Sequence, residues 1–165
     1  MNLTIIAAVS ENNVIGVNGK IPWRIKDDMI RFKELTLNHP VIIGRRTYET
    51  LPERFRPLPQ RKNIVLSRNM QSERGVYAAR TIDEALELAG TSDSYIIGGA
   101  QVYELFLPFS ERIEFTKVYR TYLGENILFF PYVNWNEWDL TNRDDKSTDD
   151  ELGKIEYSFL TYRRK

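Results

Sequence analysis

The chain has 165 residues, of which 42% are hydrophobic and 28% charged, as is typical of a soluble globular protein that forms one domain over residues 1–165. Lys+Arg and Asp+Glu both total 23, so the zero net charge gives no reason to expect nucleic acid or a membrane surface as a partner. Cysteine is absent and His39 is the single histidine, which excludes disulfides, thiol nucleophiles and multi-histidine metal sites and disfavours a Ser-His-Asp triad.

Short apolar runs and helical patterns alternate from the first residues onward. Residues 3–9 ("LTIIAAV") are apolar and rich in β-branched side chains, which predicts a strand buried on both faces. This run is too short to span a bilayer and follows no basic leader, so we expect a cytoplasmic protein. Helical spacing over residues 28–37, a buried strand at 40–44 and a short helix at 45–51 come next.

The second half continues this alternation and ends in antiparallel signals. Thr81, with Glu84 three residues later, forms a capping box before "IDEALELA". Residues 137–143 and 154–164 indicate a closing antiparallel pair around an acidic, solvated loop, "DDKSTDDELG". Further strands are predicted at 62–68, 76–79, 94–99 and 111–120, and further helices at 82–89 and 100–107. The sequence therefore predicts an α/β fold, with a mostly parallel sheet covered on both faces and an antiparallel C-terminal hairpin.

Two neighbouring acids, Asp27 and Asp28, stand at the start of the first predicted helix. At about 100° per residue on a helical wheel, Asp28 falls between Phe32 and Leu35 on the apolar side. Asp27 falls on the polar face, where it can pair with Arg31 and favour the helix N-terminus. Asp27 thus has an ordinary structural role, whereas Asp28 needs a partner for a charge on the core-facing side.

Asp28 has two interpretations on the sequence alone. In the structural interpretation, Asp28 is the N-cap of the helix, because helix starts favour aspartate, or it is one member of a buried ion pair. Alternatively, it lies at the floor of an apolar pocket, where its pKa would be raised and it would bind a cationic, amide-like ligand group.

Two buried strands end in glycine and pass directly into helices, in "VIIGRRT" and "YIIGGAQVY". The free N–H groups of such helices face the carboxyl edge of the sheet and suit phosphate. Arg45 and Arg46 add positive charge to the first turn, and Ser67 and Arg68 end another strand and suit a further phosphate, such as a 2′-phosphate. Neither turn matches G-x-G-x-x-G or the P-loop, which disfavours an ordinary Rossmann domain or NTPase.

The remaining conspicuous residues have structural explanations. His39 lies next to Pro40 between a helix and a strand and is expected on the surface. Trp135 and Trp138 lie near a predicted strand and are expected to pack in the core or at a sheet edge. The acidic loop lacks EF-hand spacing, so no metal site is predicted there.

Over nearly its whole length the chain resembles bacterial-type dihydrofolate reductases. The likeness lies in "IIAAVSENNVIGVNGKIPW", "DDMIRFKELT", "PVIIGRRTYETL", "LPQRKNIVLSR", "YIIGGAQVYELFLP" and "FTKVY", in this order. The Pro-Trp loop and the two glycine turns are jointly very specific. The resemblance implies an eight-stranded, mostly parallel sheet with four helices, a monomer, and NADPH-dependent reduction of 7,8-dihydrofolate to tetrahydrofolate.

On the substrate side, the resemblance implies that Asp28 holds the 2-amino group and N3 of the pterin while hydride reaches C6. Thr116 would hydrogen-bond Asp28, and Trp23 would organise water nearby, through which the proton reaches N5. Phe32 would stack on the rings, and Arg61 would clamp the α-carboxylate of the glutamate tail. The other implied substrate contacts are apolar: Ala8, Met29, Leu51, Leu58 and Ile97.

On the cofactor side, the resemblance implies a set of cationic and hydroxyl side chains that take the phosphates of NADPH, namely Arg45, Arg46, Thr47, Ser67 and Arg68. Gly98 and Gly99 match a pair joined by a cis peptide. Tyr103, counted with the catalytic residues, would lie near the nicotinamide together with Ile97. The other implied cofactor contacts are Ala8, Ile15, Gly16, Gly44, Leu66, Ala100, Gln101 and Val102.

The resemblance also implies a lid over residues 14–24 that closes on the reacting rings. Three features depart from the family pattern. "LPERFRPLP" is a few residues longer than in the shortest bacterial versions, and Gln101 stands where some members have arginine. "LGENILFFP" differs in the segment that braces the lid, which puts Glu125 in doubt as the bracing acid.

Two other functions compete with this interpretation. A pyrimidine reductase of riboflavin synthesis would use the same fold and NADPH, but it would need neither Asp28 nor Arg61. A non-catalytic homologue that binds NADPH or folate would not need the full set of Asp28, Trp23, Gly98 and Gly99.

Overall fold

The computed structural model describes residues 1–165, in which ten strands and four α-helices follow one another. The strands are β1 (Leu3–Ser10), β2 (Val14–Val17), β3 (Pro40–Gly44), β4 (Lys62–Leu66), β5 (Val76–Ala79), β6 (Ser94–Gly98), β7 (Arg112–Val118), β8 (Ile127–Phe129), β9 (Trp138–Asp150) and β10 (Gly153–Arg164). The helices are α1 (Lys26–Thr36), α2 (Arg45–Thr50), α3 (Ile82–Ala89) and α4 (Ala100–Phe106), with single 3-10 turns at Glu53–Phe55, Leu107–Phe109 and Trp135–Glu137. None of the helices is long and apolar enough to cross a bilayer.

Eight of the strands form one sheet in the order β5-β4-β3-β6-β1-β7-β10-β9. The six strands from β5 to β7 in this order are parallel, and β10 runs antiparallel to both β7 and β9. The prediction of a mostly parallel α/β sheet with four helices and an antiparallel C-terminal hairpin is confirmed.

The side chains of each strand point alternately to the two faces of the sheet, and an apolar cluster covers each face. On one face, Ile5 and Val9 of β1 join the largest apolar cluster, which includes Phe106 of α4. On the other face, Ile6 and Val41 form a cluster against which residues of α1 pack. The near-continuous apolar sequence of the parallel strands follows from this double burial.

The C-terminal hairpin differs from its prediction. Residues 144–150, expected in a solvated loop, belong to β9 and pair with β10, so the turn is confined to residues 151 and 152. Arg120 reaches Asp150 at 2.7 Å and ties the end of β9 to the body of the sheet. The charged side chains are exposed on a paired strand, which an acidic composition alone does not reveal.

Thr81 caps α3 as predicted, because its hydroxyl accepts a hydrogen bond from the Glu84 N–H at 3.1 Å. The returning bond of a capping box is displaced by one residue, since the Glu84 carboxylate accepts from the Arg80 N–H. A separate two-stranded sheet, β2 with β8, was not predicted, because both strands are short and the first lies inside the expected lid.

Candidate functional site

The site is centred on a contact between α1 and β7. Asp28 lies in the first turn of α1, and its carboxylate accepts a hydrogen bond from the hydroxyl of Thr116. In the sheet, Thr116 stands opposite Ala8 of β1 and opposite Phe159 of β10. Three residues that the resemblance placed in one site, Ala8, Asp28 and Thr116, are thus brought together by the fold.

The two acids of α1 have different surroundings. Asp28 is half-buried, whereas Asp27 is exposed and accepts a hydrogen bond from the Tyr157 hydroxyl at 3.1 Å. The predicted Asp27–Arg31 pair is wrong, because Arg31 instead pairs with the buried Glu114 of β7. The N-cap interpretation of Asp28 is also wrong, since Ile25 occupies that position and α1 has no side-chain cap.

Two opposing effects act on the charge of Asp28. Burial raises the pKa of the Asp28 carboxyl above its ordinary 3.8, while the Thr116 hydroxyl and the Arg31 charge lower it. Burial is the largest of these effects, so the net shift is upward. A half-buried carboxylate of this kind can bind a ligand group that offers both hydrogen-bond donors and positive charge.

Trp23 lies in the core, two residues before the N-cap Ile25 of α1. Its side chain is buried, and its ring centroid is 5.3 Å from that of Tyr122. Trp23, Ile25 and Phe159 belong to one apolar cluster, against which Ala8 also packs. Trp23 therefore packs where the start of α1 meets the sheet, and most of its surface is covered by protein.

The predicted apolar walls lie mainly in one cluster. Leu58 is buried there with Ile6, and Phe32, Leu51 and Ile97 pack against it. Met29 differs, because 59% of its surface is exposed. Met29 stands next to Asp28 on α1 but takes no part in this cluster.

Arg61 lies beside the Phe32 ring, with its guanidinium carbon 5.9 Å from the ring centroid. Its Nε donates to the Pro59 carbonyl at 2.9 Å, and a terminal nitrogen lies 3.1 Å from the Thr36 hydroxyl oxygen. These bonds fix the side chain and leave other guanidinium donors for a ligand carboxylate. Partial burial lowers the pKa of Arg61, but a guanidinium remains charged at neutral pH.

The two glycine turns lie against each other at the ends of β3 and β6. A Cβ added to Gly44 would lie 3.0 Å from Val102, and one added to Gly99 would lie 2.7 Å from the Thr47 hydroxyl oxygen. The Gly98–Gly99 peptide is cis, as the resemblance implied. A side chain on Gly44 or Gly99 would crowd its neighbour, so glycine suits the close approach of the two turns.

Positive charge surrounds these turns. Because β4, β3 and β6 are adjacent and parallel, their carboxyl ends lie at one edge of the sheet. Arg46 and Arg68 are exposed near that edge, whereas Arg45 already pairs with Glu49 at 2.8 Å. The Leu66 end of β4 leads to Ser67, whose hydroxyl accepts from the Asn69 and Met70 N–H groups at 3.2 Å.

The donors and backbone surface at this edge fit a polyanionic cofactor with two or more phosphates. Ala100 and Gln101 begin α4 there, and the Gln101 side chain is exposed. The Ser67 hydroxyl is partly committed to its own turn, so Arg46 and Arg68 are the freer phosphate donors of the predicted set.

Tyr103 is held rigidly beneath the second turn. Its hydroxyl donates to the Ile6 carbonyl at 2.9 Å, and its ring contacts the position of Gly98. Burial, assisted by the Asp28 charge, raises the pKa of Tyr103 strongly, so it stays neutral. Its proton is committed to a carbonyl, which suits a positioning role better than proton donation.

The predicted lid contains β2, with Ile15 half-buried and Gly16 buried. The Asn18 N–H donates to the Asn126 carbonyl at 3.3 Å, and the Asn126 amide donates to the Asn18 side-chain oxygen at 3.1 Å. Glu125 is exposed and takes no part in this pair. Asn126 therefore braces the segment that was predicted to be the lid, and sequence reasoning missed this residue.

Sequence reasoning also missed the Arg31–Glu114 pair. The available signal was the spacing of Glu114 and Thr116, which places both on one face of β7.

A cavity of about 680 Å³ lies on the other face of the sheet, lined by residues such as Phe115, Lys117 and Tyr162. None of the predicted site residues lines it.

Comparison with known proteins agrees with the geometry. The family model described as dihydrofolate reductase matches residues 2–164. A dihydrofolate reductase of Bacillus subtilis is 33% identical over 165 residues, covering 99% of this chain and 95% of the relative. One from Haemophilus influenzae is 34% identical over 166 residues and covers both chains completely, at 100%.

A solved structure is also similar. It is described as dihydrofolate reductase from Enterococcus faecalis complexed with NADP(H) and RAB-propyl. It superimposes with a TM-score of 0.85 at 32% sequence identity, covering 99% of this chain and 96% of that chain. The likeness therefore extends over the entire sheet and its helices.

Proposed function

The chain belongs to the dihydrofolate reductase family, and we propose that it reduces 7,8-dihydrofolate to 5,6,7,8-tetrahydrofolate with NADPH at the site built around Asp28. It is an NADPH-dependent oxidoreductase that acts on a CH–NH group. The observation that carries the site assignment is the hydrogen bond from Thr116 to the half-buried Asp28 carboxylate. The product would supply one-carbon metabolism.

Asp28 anchors the pterin in this proposal. Its carboxylate accepts hydrogen bonds from the 2-amino group and from N3, which strengthen as positive charge develops on the ring. Thr116 fixes the orientation of that carboxylate, while Phe32 and the apolar cluster around Leu58 hold the ring system. Arg61, fixed beside Phe32, receives the α-carboxylate of the glutamate tail.

Hydride transfer requires the two rings to be held against each other without water between them. NADPH, when bound, supplies the hydride that reaches C6 of the pterin. Thr47, Arg46 and Arg68 would hold its phosphates near the paired glycine turns, and Tyr103 supports those turns from beneath. Asp28 lies at the opposite end of the pterin from N5, so the proton reaches N5 through water near Trp23.

The alternatives are not favoured. A pyrimidine reductase would need neither the Asp28–Thr116 pair nor the fixed Arg61, and the matched family is dihydrofolate reductase. A non-catalytic homologue would have no need for the complete constellation of Asp28, Trp23 and the glycine pair.

We further propose that the chain works as one domain, as a monomer, in the cytoplasm, and is open to antifolates that bind Asp28. A single eight-stranded sheet that includes residues from both ends of the chain supports the one-domain assignment. Equilibrium sedimentation tests the monomer, with a mass of 19.4 kDa expected.

The activity test follows the loss of NADPH absorbance with purified protein. We expect oxidation of NADPH only when dihydrofolate is added. Binding of both ligands without turnover would contradict the proposed reaction and support the non-catalytic homologue.

A further inference from the structure

A second carboxylate lies on the same face of β7 as Thr116. Glu114 is fully buried and lies two residues before Thr116, so both side chains point toward α1. One Glu114 oxygen, Oε2, accepts from Arg31 and from the Thr161 hydroxyl, the latter at 2.8 Å, while Oε1 faces Arg112. A buried charge with so many donors is held in one position.

Arg31 extends from α1 into this network. It follows Asp28 by three residues, nearly one helical turn, and only 20% of its side chain is exposed. Its guanidinium carbon lies 4.7 Å from the centroid of the Phe159 ring, and Phe159 stands opposite Thr116 in the sheet. Arg31 is therefore fixed between two neighbours of the residue that hydrogen-bonds Asp28.

Arg31 supplies a positive charge near Asp28. The attraction between this charge and the carboxylate favours the ionised form of Asp28. The charge of Asp28 also acts on Tyr103 of α4 and on Tyr157 of β10. Asp27 adjoins Asp28 in the chain but bonds to Tyr157, and Glu114 is paired with Arg31. Both tyrosines stay neutral, because burial raises the pKa of Tyr103 strongly and that of Tyr157 to about 12.

We propose that Arg31 is a positioning residue for the reaction, and that Glu114 fixes it so that its charge keeps Asp28 ionised and oriented for the pterin. The proposal rests on the proposed function, because it assigns Asp28 to the substrate. The competing explanation is that the Arg31–Glu114 pair only fastens α1 to the sheet. The two explanations differ in what happens to Asp28 when the charge of Arg31 is removed.

The test titrates the Asp28 carboxyl by carbon-13 NMR in the ligand-free protein, with Asp28→Asn identifying its signal. Arg31→Met keeps an apolar stem over Phe159 but removes the charge, whereas Arg31→Lys keeps the charge. We expect the Asp28 titration midpoint to move upward in Arg31→Met and to stay near the wild-type value in Arg31→Lys. The double variant Arg31→Met/Glu114→Gln, which removes the buried carboxylate together with its partner on α1, should show the same upward shift if Arg31→Met folds poorly.

Kinetics supply the second readout. Arg31→Met should raise the KM for dihydrofolate severalfold at neutral pH with a smaller effect on kcat, and Arg31→Lys should restore it. An unchanged Asp28 midpoint together with a lower melting temperature would show that the pair is only structural and overturn the proposal. The titration needs no turnover, so it tests the effect of Arg31 on Asp28 separately from the reaction. A wild-type protein that fails to reduce dihydrofolate would contradict the proposed function, on which the role of Arg31 toward the pterin rests.

Discussion

The hydroxyl of Thr116 donates a hydrogen bond to the carboxylate of Asp28, although the two residues lie 88 positions apart in the sequence. Thr116 is buried in β7, and Asp28 stands in the first turn of α1, so this bond joins the helix to the sheet. Burial disfavours the charge on Asp28, and the hydroxyl reduces that cost. Asp28, and not Asp27, is therefore the acid whose charge the fold controls.

Replacement of Asp28 should abolish most of the activity. We expect Asp28→Asn to lower kcat/KM by at least about 100-fold at neutral pH, because an amide cannot support positive charge on the pterin. The loss should be least at low pH, where the substrate is already protonated. Steady-state NADPH oxidation across the pH range measures both effects.

Asp27→Asn is the matched control for that experiment. Asp27 is exposed and its side chain bonds only to Tyr157, so its replacement should change kcat/KM little. Equal losses in the two variants would sink the assignment of Asp28 as the substrate anchor.

The same Asp28→Asn substitution should stabilise the folded protein at neutral pH. The pKa of Asp28 is raised on folding, so its contribution to stability is complete below the unfolded value, near 3.8, and is lost as the pH rises through the folded value. At neutral pH the ionised group is thus a cost, which asparagine avoids while its oxygen still accepts from Thr116. Melting temperatures should be higher for Asp28→Asn at neutral pH and converge with wild type in acid. A lower melting temperature at neutral pH would contradict the raised pKa.

Thr116→Val tests the hydrogen bond itself, because valine keeps the shape of threonine and removes the donor. A hydrogen bond to a charged group contributes roughly 1.5–3 kcal/mol, so kcat/KM should fall on the order of tenfold or more at neutral pH. The pKa of Asp28 should rise further, since the hydroxyl lowers it in the wild type. Thr116→Ser, which restores the donor, should recover most of the activity; no recovery would show that packing, not the bond, is responsible.

Much of the fold could be predicted because local patterns and tertiary structure agree. The apolar residues of β1 and β3 are buried on both faces, and a parallel strand order follows from their alternation with helices. The wheel also separated Asp28 from Asp27 correctly, since the apolar stripe of α1 fixes which side faces the sheet.

The errors concern contacts between segments that are distant in sequence. A helical wheel places Arg31 on the polar face because it describes one helix alone, whereas its partner Glu114 belongs to β7. The β2–β8 pair and the extension of β9 through its acidic residues likewise depend on the strands beside them. A charged strand is stable when it is paired and exposed, which composition does not indicate.

The close approach of the two glycine turns can be tested at Gly99. A Cβ there would lie 2.7 Å from the Thr47 hydroxyl oxygen, so Gly99→Ala should destabilise the protein by about 1–3 kcal/mol through overpacking. Thr47→Ala removes that oxygen, and the double variant should recover part of the loss in a double-mutant cycle. Chemical denaturation measures this coupling, and strictly additive effects would exclude the contact as its cause.

The brace between Asn18 and Asn126 should control opening of the lid. Asn126 has a positive φ of 50°, so Asn126→Gly removes the side-chain bond to Asn18 without straining the backbone. We expect faster hydrogen exchange at the Asn18 N–H, which donates to the Asn126 carbonyl, because the loss of the side-chain bond and the added glycine flexibility make opening easier. Glu125→Ala is the control, since Glu125 is exposed and outside the pair; faster exchange there, with none in Asn126→Gly, would assign the brace to the acid instead.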